Sequence, residues 1–199
     1  MVCEKILLFA VIQVNAGRAL IFFLMENKNK CVFLDRDGVL NVERGEYTFR
    51  VEDFQVEEGV GEALRKLKEA GYLLIVITNQ AGIAKELYSR EDVLACHEKL
   101  QKETGNLIDA LYYCPHHPLK TESLARKPEP LMFERAIAKY GVDPEQSWMV
   151  GDKERDLIPS RLLGLRGIRV DWDGGETISD YQAKNLLEAS EIILNQRED

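Results

Sequence analysis

Two carboxylates one residue apart, Asp35 and Asp37, follow the apolar run Cys31-Val32-Phe33-Leu34, and Gly38 comes directly after them. Asp35, ionised at neutral pH, can attack a phosphorus atom or hold a metal ion. Asp37 can offer its backbone carbonyl to a metal and keep its side chain for proton transfer. A lone Asp-x-Asp reads equally well as a solvated acidic turn, but further residues shift that balance. Thr78 and Asn79 end a β-rich run and bring a hydroxyl and backbone donors suited to phosphate oxygens. Lys127 sits in Arg126-Lys127-Pro128, where the proline fixes the local approach. Asp152 follows Gly151 at the end of another apolar run, with Asp156 further on in the same segment. Taken alone, those two acids would suit a helix N-terminus. Together the set describes phosphate chemistry assisted by a cation.

A second constellation is incomplete. Cys114-Pro115-His116-His117 supplies a thiol and imidazoles, half of a structural zinc site, yet the run from Pro118 to Pro130 holds no further cysteine or histidine.

These residues need elements to carry them. "CVFLD", "YLLIVITN", "IDALYYC", "SWMVGD" and "GIRV" read as strands, the last being the final strand before a C-terminal helix. Between them lie helix-period segments. "GVGEALRKLKEAG" carries Val60, Ala63, Leu64 and Leu67 on one face and stops at Gly71. Helices are also expected over Arg90 to Lys102, over Pro130 to Tyr140, and over "ERDLIPSRLLG", the last interrupted by Pro159. Strand alternating with helix predicts an α/β fold, a doubly wound parallel sheet with helices on both faces. In such sheets ligands bind beyond the carboxyl ends of the strands. Asp35, Asp37, Thr78, Asn79, Cys114 and Asp152 all fall there. Gly59-x-Gly61 follows no strand and lacks the third glycine, so it is a helix entry and not a dinucleotide fingerprint.

The chain has 199 residues and a formal net charge of −8, which argues against nucleic acid or an anionic membrane as a partner and leaves small anionic substrates open. Cys3, Cys31, Cys96 and Cys114 show no pairing pattern, as expected of reduced thiols in a cytoplasm. Residues 1–24 are apolar but contain Glu4 and Arg18, so they read as an N-terminal extension, with Met25 the expected start of a single domain over 25–199. A signal peptide is the competing reading of that segment.

In order, "VFLDRDGVLN", "VITNQAGI", "RKP" and "MVGDKERD" resemble the four motifs of the haloacid dehalogenase superfamily of phosphohydrolases, over residues 31 to 195. "LDRDGVLN", "TNQAGIA", "YYCPHHP" and "RKPEP" are similar, more narrowly, to the branch of heptose bisphosphate and histidinol-phosphate phosphatases. The resemblance implies a Rossmann-like core with Asp35 as nucleophile, forming an aspartyl-phosphate. Asp37 would be the acid for the leaving oxygen and the base for water. It implies that Thr78 and Lys127 hold the phosphoryl group, and that Asp35, the Asp37 carbonyl and Asp152 bind Mg²⁺, with Asp156 in support. Asn79, Gln80, Arg126 and Lys153 match substrate-side positions. Two like unit charges about 4 Å apart repel by about 4 kcal/mol at an effective dielectric near 20, so a carboxylate attacking a phosphate dianion needs Mg²⁺ and Lys127 as offsets. Removing either is expected to cost rate far more than stability.

The intervals from Asp35 to Thr78 and from Thr78 to Lys127 are filled by a helix and a strand each, which leaves no room for an inserted cap domain. The mouth of a capless enzyme must then be shaped by loops. Glu43, Arg44 and Tyr47 would contact a polyhydroxylated phosphate ester or form a solvated flap. In the resembling branch, Cys-x-His is completed by Cys-x-Cys directly before Arg-Lys-Pro. Here those positions read Ser123 and Ala125, so Cys114 and His116 are expected to be a residual half site without zinc. The expected protein is a monomeric, cytoplasmic Mg²⁺-dependent phosphatase of a small phosphorylated metabolite, most closely a D-glycero-D-manno-heptose 1,7-bisphosphate destined for bacterial surface glycans. Histidinol phosphate is the alternative substrate, and a non-catalytic sugar-phosphate-binding protein the alternative of another class.

Overall fold

In the computed structural model the chain is described over residues 28–171 and 174–196. The expected extension over 1–24, the start at Met25, and Cys3 lie outside the described residues.

The sheet has six parallel strands, the first five of them on the apolar runs: β1 Cys31–Leu34, β2 Leu73–Asn79, β3 Ala110–Cys114, β4 Trp148–Gly151, β5 Arg166–Val170 and β6 Tyr181–Ala183. Between and after them run α1 Val60–Glu69, α2 Arg90–Glu103, α3 Leu131–Tyr140, α4 Glu154–Leu162 and α5 Leu186–Asn195. Gly59 caps α1 at its start and Gly71, at φ 82°, lets the chain turn off its end. The β5 run is not the last strand. Three residues, Tyr181–Ala183, add β6 outside it. Nor does Pro159 interrupt α4, which runs through it. The N–H that proline lacks is forgone because Leu157, Pro159 and Ser160 are buried on that helix's inner face.

The sheet order is β3-β2-β1-β4-β5-β6. Alternating side chains divide the core into two layers. Val32, Leu34, Leu74, Val76, Trp148 and Val150 meet α1, α2 and α5, while Cys31, Phe33, Ile75, Ile77 and Met149 meet α3 and α4. Both faces are thus covered, which is why the strands read as continuous apolar runs.

The strand order reverses at β1, where the chain returns across the sheet to pair β4 on the side opposite β2. A crevice opens at such a switch point, beyond the carboxyl ends of the strands. Leu34 is in register with Val76 and Val150, so the residues following β1, β2 and β4 emerge at one end. Among the described residues no domain interrupts the core. The segment after β1 closes on itself through the Asn41–Val56 bridge and leaves only the loop between them as a rim.

Candidate active site

Asp35 leaves β1 with its N–H on the Val150 carbonyl at 3.0 Å, which fixes it against β4. Its Oδ1 accepts from the Arg36 N–H at 2.7 Å and pairs with Lys127 Nζ at 2.8 Å. Oδ2 accepts no hydrogen bond from the described residues, so one oxygen of the pair is held and the other is free. Lys127 is 1% exposed; its ammonium donates to the Ile77 carbonyl at 2.7 Å and forms ion pairs with Asp35 Oδ1 and Asp156 Oδ1, each at 2.8 Å. Burial would pull the Lys127 pKa down, but the Asp156 and Asp35 carboxylates outweigh it and hold it above the usual lysine value.

Lys127 is aimed by Asn79. The Asn79 amide donates to the Lys127 carbonyl and accepts from the Lys127 N–H, both at 3.0 Å. Asn79, expected on the substrate side, therefore has both ends of its side chain committed to the backbone of the lysine loop. Asp156, fully buried, takes the Lys153 N–H on Oδ2 at 3.1 Å, so the start of α4 orients it. A Cβ on Gly151 would lie 2.5 Å from the Asp156 Cβ, so glycine is required for this approach.

Asp37 is gripped from three directions. Arg36 donates to Oδ1 at 2.9 Å and to Oδ2 at 3.1 Å, Asn41 to Oδ1 at 3.1 Å, and Gln80 to Oδ2 at 3.2 Å. Gln80 also donates to the Thr78 hydroxyl oxygen at 3.0 Å and accepts from the Tyr88 hydroxyl at 2.8 Å. Gln80, also expected on the substrate side, is 1% exposed and ties Thr78 to Asp37. Arg36, Asn41 and Tyr88 were not singled out from the sequence. Arg36 and Asn41 stood inside the quoted motif, whereas nothing local marks Tyr88.

Asp35, Asp152 and Asp156 bring carboxylate oxygens within 4.8 Å of one another. Among the described residues this is the one group of metal-ligating side chains of that size. Asp152 pairs its Oδ2 with Lys153 Nζ at 2.8 Å, while Oδ1 is buried without a partner. Gly38 makes room for it, since a Cβ there would sit 2.7 Å from Asp152 Oδ2. Burial pushes the Asp35 carboxyl up to about 6, with Asp156 adding to the shift and Lys127 opposing it. Burial also raises Asp152, against the pull of the Lys153 hydrogen bond. The free oxygens of Asp35 and Asp152 in an acidic, buried pocket fit a hard divalent cation, and Mg²⁺ takes few protein carboxylates.

Above the crevice is a cleft of about 730 Å³ bounded by Arg36, Asp37, Tyr47, Asn79, Lys153 and Arg155, with Glu43 and Glu46 on the same rim. Arg44 instead pairs with Glu46 at 2.8 Å and Asp53 at 3.2 Å. Arg126 donates to the His116 carbonyl at 3.2 Å, an attachment within its own loop. In that loop Cys114 is buried with Sγ 3.9 Å from the Ser123 hydroxyl, and Ala125 packs against the apolar layer under α3.

A family model described as HAD-hydrolase-like matches residues 124–189. A D-glycero-β-D-manno-heptose-1,7-bisphosphate 7-phosphatase of Haemophilus ducreyi is 42% identical over 146 residues, 69% of this chain and 80% of that one. Its namesake in Haemophilus influenzae is 37% identical over 180 residues, 83% of this chain and 97% of that one. The crystal structure of a D,D-heptose 1,7-bisphosphate phosphatase from B. bronchiseptica, complexed with magnesium and phosphate, superposes with a TM-score of 0.77 at 27% identity, over 84% of this chain and 99% of that one. With these identities over this much of its length, the chain belongs to the haloacid dehalogenase-like hydrolases, in the family of the heptose bisphosphate phosphatases.

Proposed function

We propose that the protein hydrolyses the C7 phosphomonoester of D-glycero-D-manno-heptose 1,7-bisphosphate through an aspartyl-phosphate on Asp35. The observation that carries the reaction is the asymmetry of Asp35, with Oδ1 held by Lys127 and Arg36 and Oδ2 free. The substrate is supported by the names of the relatives, which act on the β anomer of this bisphosphate.

In the first step Asp35 Oδ2 attacks phosphorus, the bond from phosphorus to the C7 oxygen breaks, and Asp37 gives its proton to that oxygen. In the second, water attacks the aspartyl-phosphate, Asp37 takes the water proton, and phosphate leaves with Asp35 restored. Lys127 offsets charge beside the nucleophile, and the Thr78 hydroxyl is free to donate to a phosphate oxygen while it accepts from Gln80. Mg²⁺, held by Asp35, Asp152 and the Asp37 carbonyl with Asp156 in support, would supply electrostatic stabilisation of the phosphoryl group. Lys153 and Arg155 on the cleft rim offer cations to the second phosphate, and Glu43 and Glu46 offer acceptors to sugar hydroxyls. The reading includes a cytoplasmic enzyme of surface-glycan precursor synthesis, with which the free, buried thiols of Cys31, Cys96 and Cys114 accord only as to compartment; no helix among the described residues is long and apolar enough to cross a membrane.

A panel of the heptose bisphosphate and histidinol phosphate, each with and without Mg²⁺, tests the reading. Mg²⁺-dependent phosphate release with preference for the heptose is expected. Preference for histidinol phosphate would refute the substrate.

A further inference from the structure

The proton carried by Asp37 must reach one particular oxygen of the substrate and later come from one water, so the orientation of its carboxyl matters as much as its presence. Two of the groups that hold it are themselves held from the mouth of the cleft. Arg36, 1% exposed, donates to the Thr48 carbonyl at 2.7 Å in the rim loop. Gln80 is fixed by Tyr88, whose hydroxyl donates to Gln80 Oε1 at 2.8 Å and so directs the amide NH₂ at Asp37 Oδ2 and Thr78 Oγ1. The reversed amide would withdraw that donor from both oxygens. The Tyr88 ring is locked in turn. It stacks on Phe49 with centroids 5.1 Å apart, meets Tyr47 edge-on at 5.9 Å, and lies so close to Gly82 that a Cβ there would be 2.0 Å from a ring carbon.

We propose that Tyr88 is a positioning residue for proton transfer by Asp37, acting through the Gln80 amide. This deepens the phosphatase reading and rests on it. Tyr88 touches no reacting atom. It satisfies the buried Gln80 carbonyl and thereby keeps a donor on Asp37 Oδ2, while Phe49 and Tyr47 connect that donor to the rim over the substrate. Its influence should fall on the step in which Asp37 protonates the leaving oxygen. An alkoxide leaving group needs that proton; p-nitrophenolate, a far weaker base, scarcely does.

The test is Tyr88→Phe, which keeps the ring and removes one hydroxyl, read as kcat/KM on the heptose bisphosphate and on p-nitrophenyl phosphate. We expect a loss of roughly 5–10-fold on the heptose substrate, the size of one hydrogen bond expressed in the transition state, and less than about 2-fold on the aryl ester. Gln80→Leu should show the same selectivity, and Tyr88→Phe added to it should cost nothing further. Equal losses on both esters, no loss on the sugar phosphate, or additive effects in the double variant would each overturn the proposal. Failure of the wild type on the heptose bisphosphate would count against the substrate reading alone. The comparison would then be made with a simple primary alkyl phosphate, with the same two outcomes.

Discussion

The crevice at the ends of β1 and β4 and the loop from Cys114 to Pro130 meet at Lys127, yet they are held by different means. In the crevice buried charges are cross-connected. Lys127 lies between Asp35 and Asp156, and the exposed Lys153 reaches in to the buried Asp152. In the loop the buried Cys114 thiol packs in the apolar layer and lies 3.9 Å from the Ser123 hydroxyl, and Leu119 and Leu124 are exposed. Asn79 grips the backbone at the loop's end with two hydrogen bonds. The loop needs to be exact only where it delivers its lysine, and this delivery is controlled from β2.

The crevice is most sensitive at Asp35. Asp35→Asn should lower phosphate release by at least about 10³-fold, as loss of a nucleophile does, with fold retained by circular dichroism. Lys127→Met comes next. The sequence expectation was a loss of rate with little loss of stability, but a fully buried lysine between two carboxylates makes stability part of the effect. Leaving Asp35 and Asp156 facing one another unpaired should cost about 3–5 kcal/mol in urea denaturation, besides the loss of rate.

A smaller effect comes from pH. In the metal-free protein Asp35, with a folded pKa near 6, holds a proton that the unfolded chain has already released above its ordinary carboxylate range. The folded state therefore binds more protons between about pH 4 and 6, and this contribution favours folding in acid and is lost as pH rises through 6. The raised Asp152 carboxyl acts in the same direction. Mg²⁺ competes with those protons, so it should raise Tm more at pH 7.5 than at pH 5. At a hundredfold excess over Kd the stabilisation at pH 7.5 should be about 2.7 kcal/mol. An equal shift at both pH values in calorimetry would contradict the metal assignment to these carboxylates. At the weak end, Ser123→Ala should change stability by less than about 0.5 kcal/mol and kcat/KM by less than about 2-fold. A larger change would mean that the loop contact matters to the crevice.

Much of this was legible in the residues. The β1, β2 and β4 runs are apolar because both sheet faces are covered, and their ends name Asp35, Thr78 and Asp152. β6 escaped notice because three residues at a sheet edge, Tyr181–Ala183, carry too little pattern to read. The direction of Asn79 and the burial of Lys127 were not legible either, since they arise between segments far apart in the chain. Arg126, Pro128 and Glu129 give no hint that the lysine among them is enclosed. Tyr88 reaches Gln80 only because the Gly82 turn folds one against the other.

The most direct measurement of the central claim is ³¹P NMR of D-glycero-β-D-manno-heptose 1,7-bisphosphate during turnover with Mg²⁺, by the wild type and by Asp35→Asn. The wild type should convert the C7 phosphate signal to inorganic phosphate and leave the C1 phosphate in place, while Asp35→Asn should leave both. Release from C1, or equal release by the two proteins, would contradict it.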